Sequence, residues 1–289
     1  MQSNLSSAVV SMRAKSVVAM TCLLLPFGLL SVGAQAAPTV VVYDSLGPIV
    51  PNLPSLGYQA TSTSEFGDRV SLGTGPRGLE AITVRMSTWA LASTYAGNPA
   101  YTNPAGYNHN LSLNVYGGGV GSAPGALLGS ATINALIPWR PEASPNCGSG
   151  WQAASGACFN GMAFDVMFNF ASMGIVLPDE IVFGLAFDTQ SYGSSPIGIN
   201  GPYNSLNFGL SAGATVGTDS NTDGLFWNTS FGGFLINPAN AGQFRQDTDW
   251  AGFVPAVQIS ATDVPEPGSL ALVGLALAGL GIARRRRAA

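Results

Sequence analysis

Phe164-Asp165-Val166-Met167-Phe168-Asn169-Phe170 sets large apolar side chains at every second position. A period of two is the signature of a β-strand with one face on a core, here Phe164, Val166, Phe168 and Phe170. The same alternation recurs along the chain. Ile82, Val84 and Met86 alternate with Thr83, Arg85 and Ser87, and Leu111, Leu113 and Val115 alternate with Asn110, Ser112 and Asn114. Ile181, Phe183, Leu185 and Phe187 alternate with Val182, Gly184, Ala186 and Asp188. Shorter strands are expected at 40–43, 206–210 and 257–260. Turn chemistry separates the runs at Gly73-Thr74-Gly75-Pro76, Gly117-Gly118-Gly119, Pro178-Asp179 and Gly232-Gly233. No stretch of residues 37–263 holds a helical period over three turns. The fold expected is all-β, a jelly-roll-like β-sandwich with long loops.

The two ends have a different composition. Arg13 and Lys15 precede a mainly apolar run over 17–32, and Ala34-Gln35-Ala36 follows with small residues at the two positions a signal peptidase must accommodate. Residues 1–36 therefore read as a cleaved signal peptide. At the other end Val264-Pro265-Glu266-Pro267 is a non-helical punctuation. An apolar stretch over 269–283 comes next, then Arg284, Arg285, Arg286 and Arg287. Fifteen helical residues reach about 22 Å, short of a hydrocarbon core of about 30 Å, and snorkelling arginines close part of the gap. The arginine block stays cytoplasmic, so the domain before it lies outside.

These three parts in this order resemble the PEP-CTERM sorting signal. The resemblance covers residues 264–289. It implies a short transmembrane helix that anchors the chain until an exosortase, a membrane enzyme of exopolysaccharide-producing Gram-negative bacteria, cuts near Pro265, Glu266 and Pro267. The same tail occurs on some ice-binding proteins; it speaks of sorting and not of ice. A second resemblance lies in the domain itself. Trp139-Arg140-Pro141, Ala143-Ser144-Pro145, Cys147, Cys158-Phe159-Asn160-Gly161, Leu177-Pro178-Asp179 and Phe244-Arg245 look like parts of a motif in exported bacterial proteins without an assigned activity.

Composition limits the partners. Residues 37–263 hold five arginines, no lysine and fourteen carboxylates, a formal charge of −9. So acidic a domain is repelled by nucleic acid and by anionic membrane surfaces. Cys22 leaves with the signal, and the remaining pair, Cys147 and Cys158, reads as one local disulfide of an exported chain.

Few residues point to catalysis. His109 is the only histidine; it lies between Asn108 and Asn110 and reads as a surface-turn residue. There is no Gly-x-Ser-x-Gly elbow, metalloprotease, Walker or dinucleotide motif. Asp165 and the pair Asp179-Glu180 are the carboxylates a glycosidase could use, and each has a plain reading on a strand face or in a turn. Trp89, Trp139, Trp151, Trp227 and Trp250 stand beside amides and carboxylates, which suits either a sandwich core or a sugar platform. Asp219-Ser220-Asn221-Thr222-Asp223-Gly224 sets Asp219, Asn221 and Asp223 on alternate residues before a glycine. That is the start of a calcium loop or an Asx-rich turn. The twelfth position is Ser230 and not Glu, so a calcium ion would need a carboxylate from elsewhere, Asp247 or Asp249. The expectation is a non-enzymatic surface or matrix protein associated with exopolysaccharide. A secreted polysaccharide hydrolase and a purely structural envelope component are the alternatives.

Overall fold

The computed structural model describes residues 38–120, 123–221, 226–228, 244–246 and 252–264, with positions 274 and 284. In chain order the strands begin with β1 (Val40–Asp44), β2 (Ser55–Gly57), β3 (Glu65–Ser71), β4 (Gly78–Thr88), β5 (Gly106–Gly117) and β6 (Leu127–Pro138). Then come β7 (Trp151–Gln152), β8 (Cys158–Phe159), β9 (Met162–Asn169), β10 (Glu180–Ala186) and β11 (Leu206–Ser211). The last are β12 (Thr218–Asp219), β13 (Phe226–Asn228), β14 (Phe244–Gln246), β15 (Val254–Pro255) and β16 (Val257–Thr262).

Two antiparallel sheets form the domain, as the alternation predicts. One runs β1-β16-β4-β11-β15, with β9 on β4 and β2 on β11. The other runs β14-β13-β3-β10-β5-β6, with β12 added to β3. Their inner rows make one core: Ile82, Val84, Met86, Phe168 and Ile259 from the first sheet meet Phe66, Leu111, Leu113, Phe183 and Leu185 from the second. Each expected strand is present. β2, β3, β6, β7, β8 and β12 to β15 are additional, and β3 and β6 are the longest of them. The expected turns at 73–76 and 117–119 join β3 to β4 and β5 to β6; Gly119, at φ +70°, takes a backbone conformation that a side chain would strain.

Cys147 and Cys158 are disulfide-bonded with Cα atoms 5.4 Å apart. The bond closes the small β7–β8 hairpin, in which Trp151 packs on Phe159 and donates from Nε1 to the Gly161 carbonyl at 2.7 Å. The leader, the tail apart from positions 264, 274 and 284, and the turn at Gly232-Gly233 lie outside the described residues. Among the described residues no helix is long and apolar enough to cross a membrane.

Candidate functional site

The second sheet carries a polar cleft on its outer face. Register aligns Gly67 of β3, Gly184 of β10, Asn114 of β5 and Ser130 of β6 in one row. Glu65, one row along, folds its carboxyl over Gly184, where an added Cβ would lie 2.1 Å from Oε1. That oxygen accepts from Asn114 Nδ2 at 2.9 Å and Tyr116 Oη at 3.1 Å. Burial raises the Glu65 pKa, and these two hydrogen bonds offset part of the rise. Burial and the Glu65 charge together push the Tyr116 phenol up.

The cleft encloses about 300 Å³ and is lined by Glu65, Asn110, Ser112, Asn114, Ser130 and Asp188 among others. Among the described residues no lysine or arginine lines it. Further along the face, Asn134 Nδ2 donates to Asn110 Oδ1 at 2.7 Å, and the Ser112 and Thr132 hydroxyls are 2.7 Å apart. Asp188 braces the loop after β10: its Oδ1 accepts from Ser195 N at 2.9 Å and Ser194 Oγ at 3.4 Å.

His109 is not a surface-turn residue. β5 begins at Gly106, so His109 is within the strand and buried, with Nε2 2.8 Å from the Asp188 carbonyl oxygen and its ring stacked on Tyr203 at 5.2 Å. Burial lowers its pKa. The other catalytic candidates are occupied. Asp165 sits opposite Arg85 in the β4–β9 register, and the two form a forked ion pair at 2.7 and 3.1 Å. Asp179 is the expected turn residue before β10 and pairs with Arg77 at 2.8 Å on the surface.

The tryptophans do not form a coplanar row among the described residues. Trp139 joins a cluster with Tyr95, Tyr101 and Tyr107, and Trp151 supports the disulfide hairpin. Trp89 is 42% exposed and borders a shallow pocket with Asn52, Ser55 and Asn160. The side chain of Trp227, and all of Trp250, lie outside the described residues.

Two members of the predicted calcium loop are visible. Asp219 Oδ1 accepts from Asn221 N at 2.7 Å, the Asx bond of a tight turn. Asp223, Asp247 and Asp249 fall outside the described residues. The side chain that meets this turn is one sequence reasoning missed, Asp68 of β3, whose pKa is raised by burial and then by the Asp219 charge. Among the described residues no group of three or more His, Cys, Asp or Glu is placed to hold a metal.

The described chain is an all-β protein, a disulfide-stapled sandwich with a hydroxyl- and amide-lined cleft. The chain carries the PEP-CTERM protein-sorting motif at residues 263–287, spanning Pro265, Glu266, Pro267 and the block from Arg284 to Arg287. The motif marks an exosortase-targeted exported protein, and such signals imply a route by way of the membrane to the cell surface. No curated protein and no solved structure matches the chain. The resemblance of the domain to an exported group has no support beyond its motifs.

Proposed function

We propose that the domain is a non-enzymatic surface protein that binds exopolysaccharide in the cleft around Glu65. The observation that carries this reading is the lining: amides, hydroxyls and carboxylates on a sheet face, with no cation among the described residues. Sugar hydroxyls both donate and accept, and they are matched by groups that do the same. The carboxylates Glu65 and Asp188 favour neutral or amino sugars over sulfated or phosphorylated ones. Export through an exosortase route brings the cleft to the surface where such polymers are laid down.

Affinity electrophoresis through a gel containing the producing bacterium's exopolysaccharide tests the proposal. The exported protein is expected to be retarded. Asn114→Ala, which removes one lining amide and loosens Glu65, is expected to weaken retention by roughly tenfold, the equivalent of about 1.4 kcal/mol. Equal retention of the two proteins, or none of either, overturns the reading.

One observation favours the hydrolase alternative. Glu65, with its raised pKa, and Asp188 line the same cleft, as an acid and a second carboxylate would. Against it, Glu65 Oε1 already accepts two hydrogen bonds and Asp188 Oδ1 holds a loop. Release of new reducing ends by the wild type, abolished in Glu65→Gln, would make the protein an enzyme.

A further inference from the structure

Asp68 is the anomaly of the core. It projects from the inner face of β3 between Phe66 and Val70 and has no exposed surface. Its Oδ1 accepts from Arg69 N at 2.8 Å, whereas its Oδ2 is buried and meets no hydrogen-bond donor. The Arg69 guanidinium is directed to the other face of the strand, with Nε 3.7 Å from Glu180 Oε1 and Nη2 3.4 Å from the Ala123 carbonyl. β12 lies alongside: Asp219 is the register partner of Val70, and Ser220 N donates to the Arg69 carbonyl at 3.0 Å. The Asn221 side chain hydrogen-bonds the Asp68 carboxyl and favours its charged form. Tyr43 Oη, buried and also without a hydrogen-bond partner, senses the charges of both Asp68 and Asp219.

A desolvated carboxylate oxygen with no partner is costly, and a second carboxylate beside it makes matters worse. Either a shared proton or a bound cation relieves both problems. A shared proton needs only two carboxyls and gives no account of the alternate oxygen side chains from Asp219 onward. A hard cation does, because it takes oxygen donors from one concave turn and a carboxylate from a neighbouring strand. We infer that Asp68, Asp219 and Asn221 form a calcium site that fastens β12 to β3. Asn221 turns its amide oxygen to the ion, an exchange of ends that a flip provides. Water and main-chain carbonyls complete the six to eight ligands calcium usually takes. Asp68 is thus the carboxylate that the loop lacks in its own sequence.

The test uses the exported protein with calcium chloride and with chelator. About 10 mM calcium is expected to raise the wild-type Tm by about 3–10 °C, the effect of a site with millimolar or tighter affinity on a domain of this size. Asp68→Asn and Asp219→Asn are expected to show no calcium shift. Asp68→Asn in chelator is expected to melt at or above the wild-type temperature, since it removes a like charge. Terbium alone is the second probe. Its emission, sensitised through Tyr43, should be displaced by calcium and lost in Asp219→Asn, a readout that holds even if Asp68→Asn fails to fold. Identical wild-type melting in calcium and chelator overturns the inference, as does a calcium shift that persists in both variants.

Discussion

Glu65 and Asp68 are three residues apart on one strand, both buried, and solved in opposite ways. Glu65 is on the outer face, where Asn114 and Tyr116 donate to it and Gly184 makes room. Asp68 is on the inner face, where one of its oxygens has no hydrogen bond and Asp219 adds a like charge. The first carboxylate is held by the protein's own groups and fits a ligand that exchanges hydrogen bonds. The second has one oxygen left without such support and fits a ligand that brings positive charge. The difference teaches that burial alone does not identify a site; the partners left unmade identify it.

Space over the outer face differs sharply between two register partners. At Gly67 a Cβ would sit 1.7 Å from the Phe183 carbonyl oxygen, part of the neighbouring backbone, whereas at Gly184 it would meet the movable Glu65 carboxyl. Gly67→Ala is expected to destabilise by about 3 kcal/mol, and Gly184→Ala by about half of that, while displacing Glu65 from the cleft. Urea unfolding of the two variants checks this; equal losses would mean that Glu65 does not hold its place over Gly184.

The disulfide hairpin, remote from β3, provides the next largest effect. Its loop closure is expected to contribute about 2–3 kcal/mol, so a Cys147→Ser, Cys158→Ser double variant should lose that amount in urea. Calcium should still raise the melting temperature of that variant. Loss of the calcium response on breaking this distant bond would show that the two regions are not independent.

Titration gives smaller effects, with opposite signs for two buried groups. The folded-state pKa of Glu65 is raised, so its contribution is present in full below its ordinary value of 4.5 and is lost as pH rises through the folded value. Glu65→Gln should therefore flatten the wild-type decline in stability above pH 4.5. The His109 pKa is lowered, so its contribution is present above 6.5 and lost as pH falls through the folded value. As the only histidine, it should give one imidazole titration by NMR with a midpoint below 6.5. A midpoint above 6.5 would contradict its burial against Asp188 and Tyr203.

Much of the sandwich was readable in the sequence because its strands obey a simple alternation. β4, β5, β9 and β10 set bulky apolar groups inward at every second position, and all four are strands with those positions in the core. β6 was silent because small residues, Ala131 and Ala135, alternate with Ile133 and Ile137. β3 was silent for a more telling reason. Its inner row reads Phe66, Asp68, Val70 and its outer row Glu65, Gly67, Arg69, so the residues that build both sites erase the apolar pattern that would have disclosed the strand. His109 was misplaced because its asparagine neighbours suggested a turn, while the loop that covers it, held by Asp188, is distant in sequence. The turn at Asp219 was legible, but its partner was not, since β3 and β12 meet only in the folded sheet.

The proposed binding places polysaccharide in the cleft of Glu65 and not at Trp89. It is tested most directly by NMR of the exported protein as oligosaccharides from the producing bacterium's exopolysaccharide are added. The side-chain amide signals of Asn110 and Asn114 are expected to shift with sugar concentration, while the Trp89 indole N–H stays in place. Movement of the Trp89 indole with both amides unmoved would contradict it.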